Sequence, residues 1–305
     1  MKLQHVIESQ QFTLPMLKEL FDLADQMEHI VERGGTLDYQ QRIMASLFYE
    51  PSTRTRFSFE SAMLRLGGKI MSTERAQDFS SVSYGESLED TIRVVGNYAD
   101  VIVLRHNQIG GAKRAAALSS IPVINAGDGK GGQHPTQALL DLYTIYKEIK
   151  TINGVKVALV GNLFDGRTVR SLAYLLGKFE RVKIYFVAPP TLQMKQDMLD
   201  YLERHDVWYT LESDLTKILP EVDVVYMTRM EEEKLPAASI EAPFTRYFID
   251  EDSLKFLRPS AILLHPLPRL NEISPAIDSD PRSAYFRQTK NGVLVRMALL
   301  ASVLD

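Results

Sequence analysis

The stretch Arg42 to Gly67, RIMASLFYEPSTRTRFSFESAMLRLG, passes from a β pattern to a helical one with one Glu-Pro step between them. RIMASLFY (42–49) is a short apolar run suited to a buried strand. Further on, Phe59, Ala62, Met63 and Leu66 fall at i, i+3, i+4 and i+7, which is one face of a helix. Pro51 keeps Glu50 extended, so the helix starts near Ser52. A strand feeding straight into a helix is the repeating unit of sheets covered by helices.

The alternation recurs along the chain. ADVIVLR (99–105), IPVINAG (121–127), GVKVALVGN (154–162), VKIYFVA (182–188), VDVVYMT (222–228) and AILLHP (261–266) read as buried strands. PTQALLDLYTIYKEI (135–149) reads as a helix with Leu139, Leu142, Tyr146 and Ile149 on one face. The expected class is α/β, with two doubly wound domains, each a mostly parallel sheet flanked by helices. The helix from Pro135 to about Lys150 ends at KTINGVK, a boundary between halves of similar size. No internal repeat or low-complexity segment interrupts the pattern.

Composition narrows the function classes. A chain of 305 residues with 45% hydrophobic content can bury a sizeable core. With 35 basic and 39 acidic side chains the net charge is -4, so nucleic acid is not an expected partner. The absence of cysteine excludes disulfides, thiolate metal sites and a cysteine nucleophile. The amino-terminal stretch MKLQHVIESQQFTLPML has no apolar signal region, and no later run reaches the length of a membrane span. A soluble cytoplasmic protein without a membrane partner is expected.

The quoted stretch also carries chemistry. It places Ser52, Thr53, Arg54 and Thr55 around a helix amino terminus at the carboxyl edge of a sheet. Free N–H groups, the positive dipole end, hydroxyls and a guanidinium fork make that an anion site. The plainer reading is that Ser52 only caps the helix while Arg54 and Arg56 sit in solvent. Cations crowded into a first turn oppose the dipole, however, and are costly unless an anion is bound. Arg105, ending the strand VIVLR, either reaches over the same kind of edge or is an ordinary surface arginine. His134 follows a glycine-rich loop and precedes Pro135 at a helix start, where it either caps the helix or polarises a carbonyl. GNLFDGRT (161–168) nearly spells a P-loop but has Arg167 in place of the lysine that reaches the β/γ-phosphates, so a nucleotide site is rejected. HPLP (265–268) suggests a rigid turn in which a cis bond is allowed.

Taken together, FYEPSTRTRFSFESA, HPTQALLDLYTI, GRTVRSLAYLL, VYMTR and LLHPLPR resemble the aspartate carbamoyltransferase family almost end to end. The resemblance implies transfer of the carbamoyl group of carbamoyl phosphate to the α-amino group of L-aspartate, in pyrimidine biosynthesis, without metal or organic cofactor. It implies a carbamoyl phosphate-binding domain over 1–134, onto which a carboxy-terminal helix of about 288–305 packs back, and an aspartate-binding domain over 135–287. By position, Ser52, Thr53, Arg54 and Thr55 match the phosphate site, and Ser80 matches a loop residue that completes it. Thr55, Arg105 and His134 match the groups that hold the carbamoyl oxygen, and Gln137 the contact to its nitrogen. Arg167 and Arg229 match the grip on the two aspartate carboxylates, and Leu267 and Pro268 the turn whose carbonyls meet the ligands. Because the Ser80 loop of this family serves an adjacent site, a homotrimer with shared active sites is implied. No regulatory chain is read from the sequence.

Two positions depart from the family pattern. Tyr84 stands where a loop lysine is usual, with no lysine between Lys69 and Lys113, and Glu231 stands where glutamine is usual. Each change lowers the net charge of the acceptor half by one unit. Besides an aspartate carbamoyltransferase, the departures leave open a carbamoyltransferase for another amine or a non-catalytic relative. The intact phosphate and carbamoyl residues speak against the last, because drift would erode both halves.

Overall fold

The computed structural model describes residues 1–74, 85–230 and 247–305. The chain forms two compact units, Met1–Leu140 with Lys290–Asp305, and Asp141–Thr289. In the first, helices α1 (Leu14–Glu32), α2 (Thr53–Arg65), α3 (Leu88–Val95) and α4 (Gly111–Leu118) accompany strands β1 (Ile43–Phe48), β2 (Lys69–Glu74), β3 (Val101–His106) and β4 (Val123–Asp128). The strands pair in parallel in the order β2-β1-β3-β4. Helix α5 (Pro135–Ile149) then carries the chain into the second unit.

There, β5 (Lys156–Val160), α6 (Arg167–Leu176), β6 (Lys183–Val187), α7 (Gln196–Arg204), β7 (Trp208–Glu212), α8 (Leu215–Ile218), β8 (Val224–Met227), α9 (Glu251–Leu254) and β9 (Ile262–Leu264) alternate. The second sheet is also parallel, in the order β7-β6-β5-β8-β9. Helix α10 (Tyr285–Leu304) returns the chain to the first unit.

The strand pattern explains the sequence's apolar runs. β3, β5 and β8 lie inside their sheets and bury both faces, so VIVL, VALV and VVYM are continuous apolar segments rather than alternating ones. Each fully buried aliphatic side chain there contributes about 1.5–3 kcal/mol. All seven strands expected from apolar runs are present, each within a few residues of its expected ends. Two strands gave no such run: KIMSTE of β2 and WYTLE of β7 are edge strands, and Met71, Trp208 and Leu211 remain exposed on them. The expected face of α5 needs one correction. Ala138 through Ile145 are all buried, whereas Tyr146 is 38% exposed, because a helix enclosed on most sides has no single apolar stripe.

Both sheets reverse direction once. In the first, the chain leaves β1 to add β2 on one side and then crosses to β3 on the other; in the second the reversal lies between β5 and β8. Ligands in open α/β sheets bind outside the carboxyl ends of the strands that flank such a reversal. Among the described residues, those singled out as site candidates from the sequence follow or end these strands, except those of the glycine-rich loop after β4 and of the turn after β9. Among the described residues, no helix is long and apolar enough to cross a membrane.

Candidate active site

Phe48 at the end of β1 stands opposite Arg105 on β3. The pairing continues one residue further, where the Tyr49 N–H donates to the Arg105 carbonyl at 2.9 Å. The turn Glu50-Pro51-Ser52 and the first turn of α2 therefore begin beside Arg105. Ser52 occupies the cap position with an extended φ of -159°, and its side chain makes no capping bond to the helix, so the cap-only reading of that hydroxyl fails. No acidic residue in the first turn offsets the positive helix end. Thr55 is buried, while Thr53 and Arg54 are exposed. Arg56 turns back toward β2 and pairs with Glu74 at 3.2 Å and Glu60 at 3.9 Å, which makes it a structural cation rather than a solvated one.

Arg105 is held from two sides. Its Nη1 donates to the Ala126 carbonyl at 3.3 Å, and its Nη2 lies 3.5 Å from Glu50 Oε2. The side chain is only 11% exposed, so the surface reading does not apply. His134 caps α5 through its backbone, since its carbonyl accepts the N–H groups of Gln137 at 3.1 Å and Ala138 at 3.2 Å. Its ring is buried with Nδ1 3.4 Å from Thr136 Oγ1, and Gln137 is buried one turn along.

The glycine-rich loop ahead of His134 is fixed by Asp128. Its carboxylate accepts from Gln133 N–H at 2.7 Å and Gly110 N–H at 2.9 Å. A Cβ on Gly132 would stand 2.5 Å from that carboxylate, so the glycine is required by the turn. Gln133 in turn accepts the Ser9 N–H at 2.8 Å.

In the second unit, Gly161 follows β5 with φ +121°, and a Cβ there would lie 2.3 Å from Thr228 Oγ1. The near-P-loop glycine thus serves the close approach of β5 and β8, where the Asn162 N–H donates to the Arg229 carbonyl at 3.1 Å. Arg167 is the first residue of α6. Arg229 Nε donates to the Pro268 carbonyl at 3.0 Å. The Leu267–Pro268 bond is cis, and Leu267 has φ +48°, a left-handed backbone that costs a non-glycine residue about 1–2 kcal/mol. The Leu267 N–H donates to His265 Nδ1 at 2.7 Å, and His265 Nε2 donates to Glu272 Oε1 at 2.8 Å.

Burial lowers the pKa of His265, with Arg229 and Arg269 adding to the effect. An imidazole that accepts at Nδ1 and donates at Nε2 is neutral, in agreement. Burial alone would raise the Glu272 carboxyl, but the His265 hydrogen bond and backbone N–H groups outweigh it and hold the group below its ordinary value. Arg269 forms a two-pronged pair with Asp278, one prong at 2.7 Å, and lies over the Tyr285 ring, which fixes the chain just after the turn.

Ser52, Thr53, Arg54, Thr55, Arg105, His134 and Gln137 lie in the first unit and Arg167, Arg229, Leu267 and Pro268 in the second; strand pairing brings the α2 start beside Arg105, and a hydrogen bond brings Arg229 onto Pro268. Ser80, Tyr84 and Glu231 lie outside the described residues. Sequence reasoning passed over Glu50, Asp128 and Glu272. Only position relative to strand ends marks them, and acidic residues in loops carry no pattern of their own. Among the described residues, no group of three histidine, aspartate or glutamate side chains could hold a metal ion.

Two family models match the chain: the aspartate/ornithine carbamoyltransferase carbamoyl-P binding domain over residues 4–147, and the Asp/Orn binding domain of the same family over 153–303. The chain belongs to the aspartate/ornithine carbamoyltransferase family. It is 53% identical to the chloroplastic aspartate carbamoyltransferase of Arabidopsis thaliana, over 99% of this chain and 78% of that one. The aspartate carbamoyltransferase catalytic subunit of Methanopyrus kandleri is 46% identical over 98% of this chain and 96% of its own. Among solved structures, the aspartate transcarbamoylase of Trypanosoma cruzi in complex with carbamoyl phosphate and aspartate superposes with a TM-score of 0.94 at 38% identity, covering 100% of this chain and 96% of that one. The expectation of a cytoplasmic protein is overturned by the plant relatives alone. The plant relatives, at 52–53% identity, are chloroplastic enzymes and point to a plastid instead. A compartment leaves no mark on a folded catalytic core, so the composition that suggested the cytoplasm had no power to decide it.

Proposed function

We infer that the chain transfers the carbamoyl group of carbamoyl phosphate to the α-amino group of L-aspartate, giving N-carbamoyl-L-aspartate and phosphate. The observation that carries this reading is the side-by-side placement of Arg105 and the α2 amino terminus in a chain that matches aspartate carbamoyltransferases along its length. In this reading the first unit takes carbamoyl phosphate. Its phosphate sits on the first turn of α2, with Ser52, Thr53, Arg54 and Thr55 as donors. Thr55, Arg105 and His134 meet the carbamoyl oxygen, and Gln137 the carbamoyl nitrogen. For His134 to serve that oxygen its ring proton has to lie on Nε2, the tautomer in which Nδ1 accepts from the Thr136 hydroxyl 3.4 Å away.

The amine of aspartate attacks the carbamoyl carbon, and the carbonyl oxygen becomes an oxyanion. Collapse expels phosphate, which takes the proton released by the amine. Each donor aimed at the oxyanion is worth about 2.7–4 kcal/mol, so positioned donors replace a side-chain nucleophile. Arg167 and Arg229 hold the aspartate carboxylates as bidentate forks, and the carbonyls of Leu267 and Pro268 meet the ligands on the aspartate-binding side of the site. Ser80 completes the phosphate site of a neighbouring chain in a homotrimer.

Incubation with carbamoyl phosphate and a panel of amines, scoring ureido product and phosphate together, tests the reading. Aspartate should give both products in equal amount, and a larger yield with another amine would replace it as the acceptor.

A further inference from the structure

The turn that presents Leu267 and Pro268 is backed by five residues in one hydrogen-bonded chain, three of the links between them running side chain to side chain and one passing through the His265 backbone N–H. The Tyr226 hydroxyl on β8 donates to Asp141 Oδ2 on α5 at 2.7 Å, and Gln288 Nε2 on α10 donates to Asp141 Oδ1 at 2.6 Å. Gln288 Oε1 accepts the His265 N–H at 2.9 Å. His265 Nδ1 accepts the Leu267 N–H, and its Nε2 donates to Glu272, whose second oxygen accepts the Leu270 N–H at 3.1 Å. Tyr226 and Asp141 are fully buried, and Gln288, His265 and Glu272 are 1%, 2% and 8% exposed. The chain therefore draws on three separate elements and closes on the backbone N–H groups on either side of Pro268. The Pro268 carbonyl in turn accepts from Arg229 Nε at 3.0 Å.

We propose that the Tyr226–Asp141–Gln288–His265–Glu272 chain is a positioning element for the acceptor amino acid, holding the Leu267–Pro268 turn and, through the Pro268 carbonyl, the guanidinium of Arg229. The proposal rests on the assignment of Arg229, Leu267 and Pro268 to aspartate made above. A buried polar chain is costly unless every member is satisfied, and apolar side chains of similar volume would fill the same space. Here the acceptors and donors point at particular backbone groups of the turn. Outer groups of this kind act by fixing the orientation of the groups that touch the ligand, so their loss appears in affinity for that ligand alone.

Two substitutions at one position separate aim from volume. In His265→Asn the amide oxygen can stand where Nδ1 stood and still accept the Leu267 N–H, whereas in His265→Gln it lies further out and cannot. His265→Gln should raise KM for aspartate about tenfold and leave the carbamoyl phosphate Kd within about twofold by calorimetry, while His265→Asn recovers most of that loss. Tyr226→Phe, which removes one hydroxyl and no volume, should raise KM for aspartate about two- to threefold.

Equal KM increases in the Asn and Gln variants, or an equal loss of carbamoyl phosphate affinity, overturn the proposal. If neither His265 variant folds, an unchanged aspartate KM in Tyr226→Phe overturns it. Arg229→Ala separates the two readings. If it raises KM for aspartate while His265→Gln does not, the positioning chain alone is wrong. If it leaves KM unchanged, the acceptor assignment falls and the proposal with it.

Discussion

Glu50 and Arg105 meet at 3.5 Å beside the first turn of α2, and the Ala126 carbonyl holds the other arm of the same guanidinium. Arg105 is thereby ordered before any substrate arrives. Both of its contacts use separate nitrogens of one planar group, which an ammonium on a flexible stem does not reproduce.

Arg105→Lys is therefore expected to keep the charge and lose the aim. Its kcat/KM should fall about 100-fold or more, and Arg54→Ala and Arg105→Ala should fall further, by several kcal/mol of transition-state stabilisation. Steady-state assays with saturating aspartate check this. Near-normal kcat/KM in Arg54→Ala or Arg105→Ala removes the carbamoyl phosphate assignment.

Gly161 and Gly154 both have positive φ, +121° and +78°, but only Gly161 lacks room for a Cβ. Gly154→Ala should cost about 1 kcal/mol from backbone strain alone, and Gly161→Ala should exceed about 3 kcal/mol as the β5–β8 approach opens. Urea unfolding midpoints measure both. Equal costs would mean that contact with Thr228 contributes nothing.

Burial lowers the pKa of His5, His106 and His265 below the ordinary 6.5. The unfolded chain takes up protons there that the native state refuses, so the stability these groups contribute is complete above 6.5 and declines as pH falls through and below it. The lowered carboxyls of Asp197, Asp278 and Asp280 act only around and below 3.8. Between pH 6.5 and about 5 the melting temperature should thus fall chiefly through histidines. It should fall less steeply in His265→Asn, and an unchanged slope would show that His265 takes up its proton as readily when folded as when unfolded.

The shared-site reading of the Ser80 loop has a direct check. Mixing an inactive variant altered at Ser80 with inactive Arg105→Ala should regenerate some intact sites in hybrid oligomers. Hybrids that form without activity would place each site within one chain.

Tyr84 and Glu231 each lower the net charge of the family's acceptor pattern by one unit, the first by lacking a cation and the second by adding an anion. Unit charges ~4 Å apart interact by roughly 4 kcal/mol at a surface-like dielectric, so the pair should weaken aspartate binding. Tyr84→Lys with Glu231→Gln should raise kcat/KM for aspartate beyond either single change, because both act on one ligand. Harm from the double change, in a protein that already uses aspartate well, would take both residues out of the acceptor site.

The sequence disclosed most where burial was complete. Central strands such as Val101–His106 announce themselves because both faces are apolar, and Ser52 to Thr55 because cations at a helix start need an anion. It disclosed little where order comes from contacts distant along the chain. Lys69–Glu74 and Trp208–Glu212 are strands by virtue of their neighbours, and nothing in HPLPR tells that His265 is tied to Gln288 and Asp141. The arginines were legible as chemistry, but only the structure shows that Arg56 is committed to Glu60 and Glu74.

The chain's single tryptophan, Trp208, opens edge strand β7, with Lys183 Nζ 5.2 Å from its ring centre and Tyr185 edge-on at 5.3 Å. Its emission is therefore a local lamp fixed to the second unit, shaded by one ammonium and one phenol. Unfolding followed at that wavelength records the detachment of β7 from β6 and leaves the first unit dark. Used with a probe that sees every peptide bond, such as far-ultraviolet circular dichroism, it becomes a way to ask which unit opens first. Coincident transitions would mean that the two helices joining the units, Pro135–Ile149 and Tyr285–Leu304, bind them into one cooperative block.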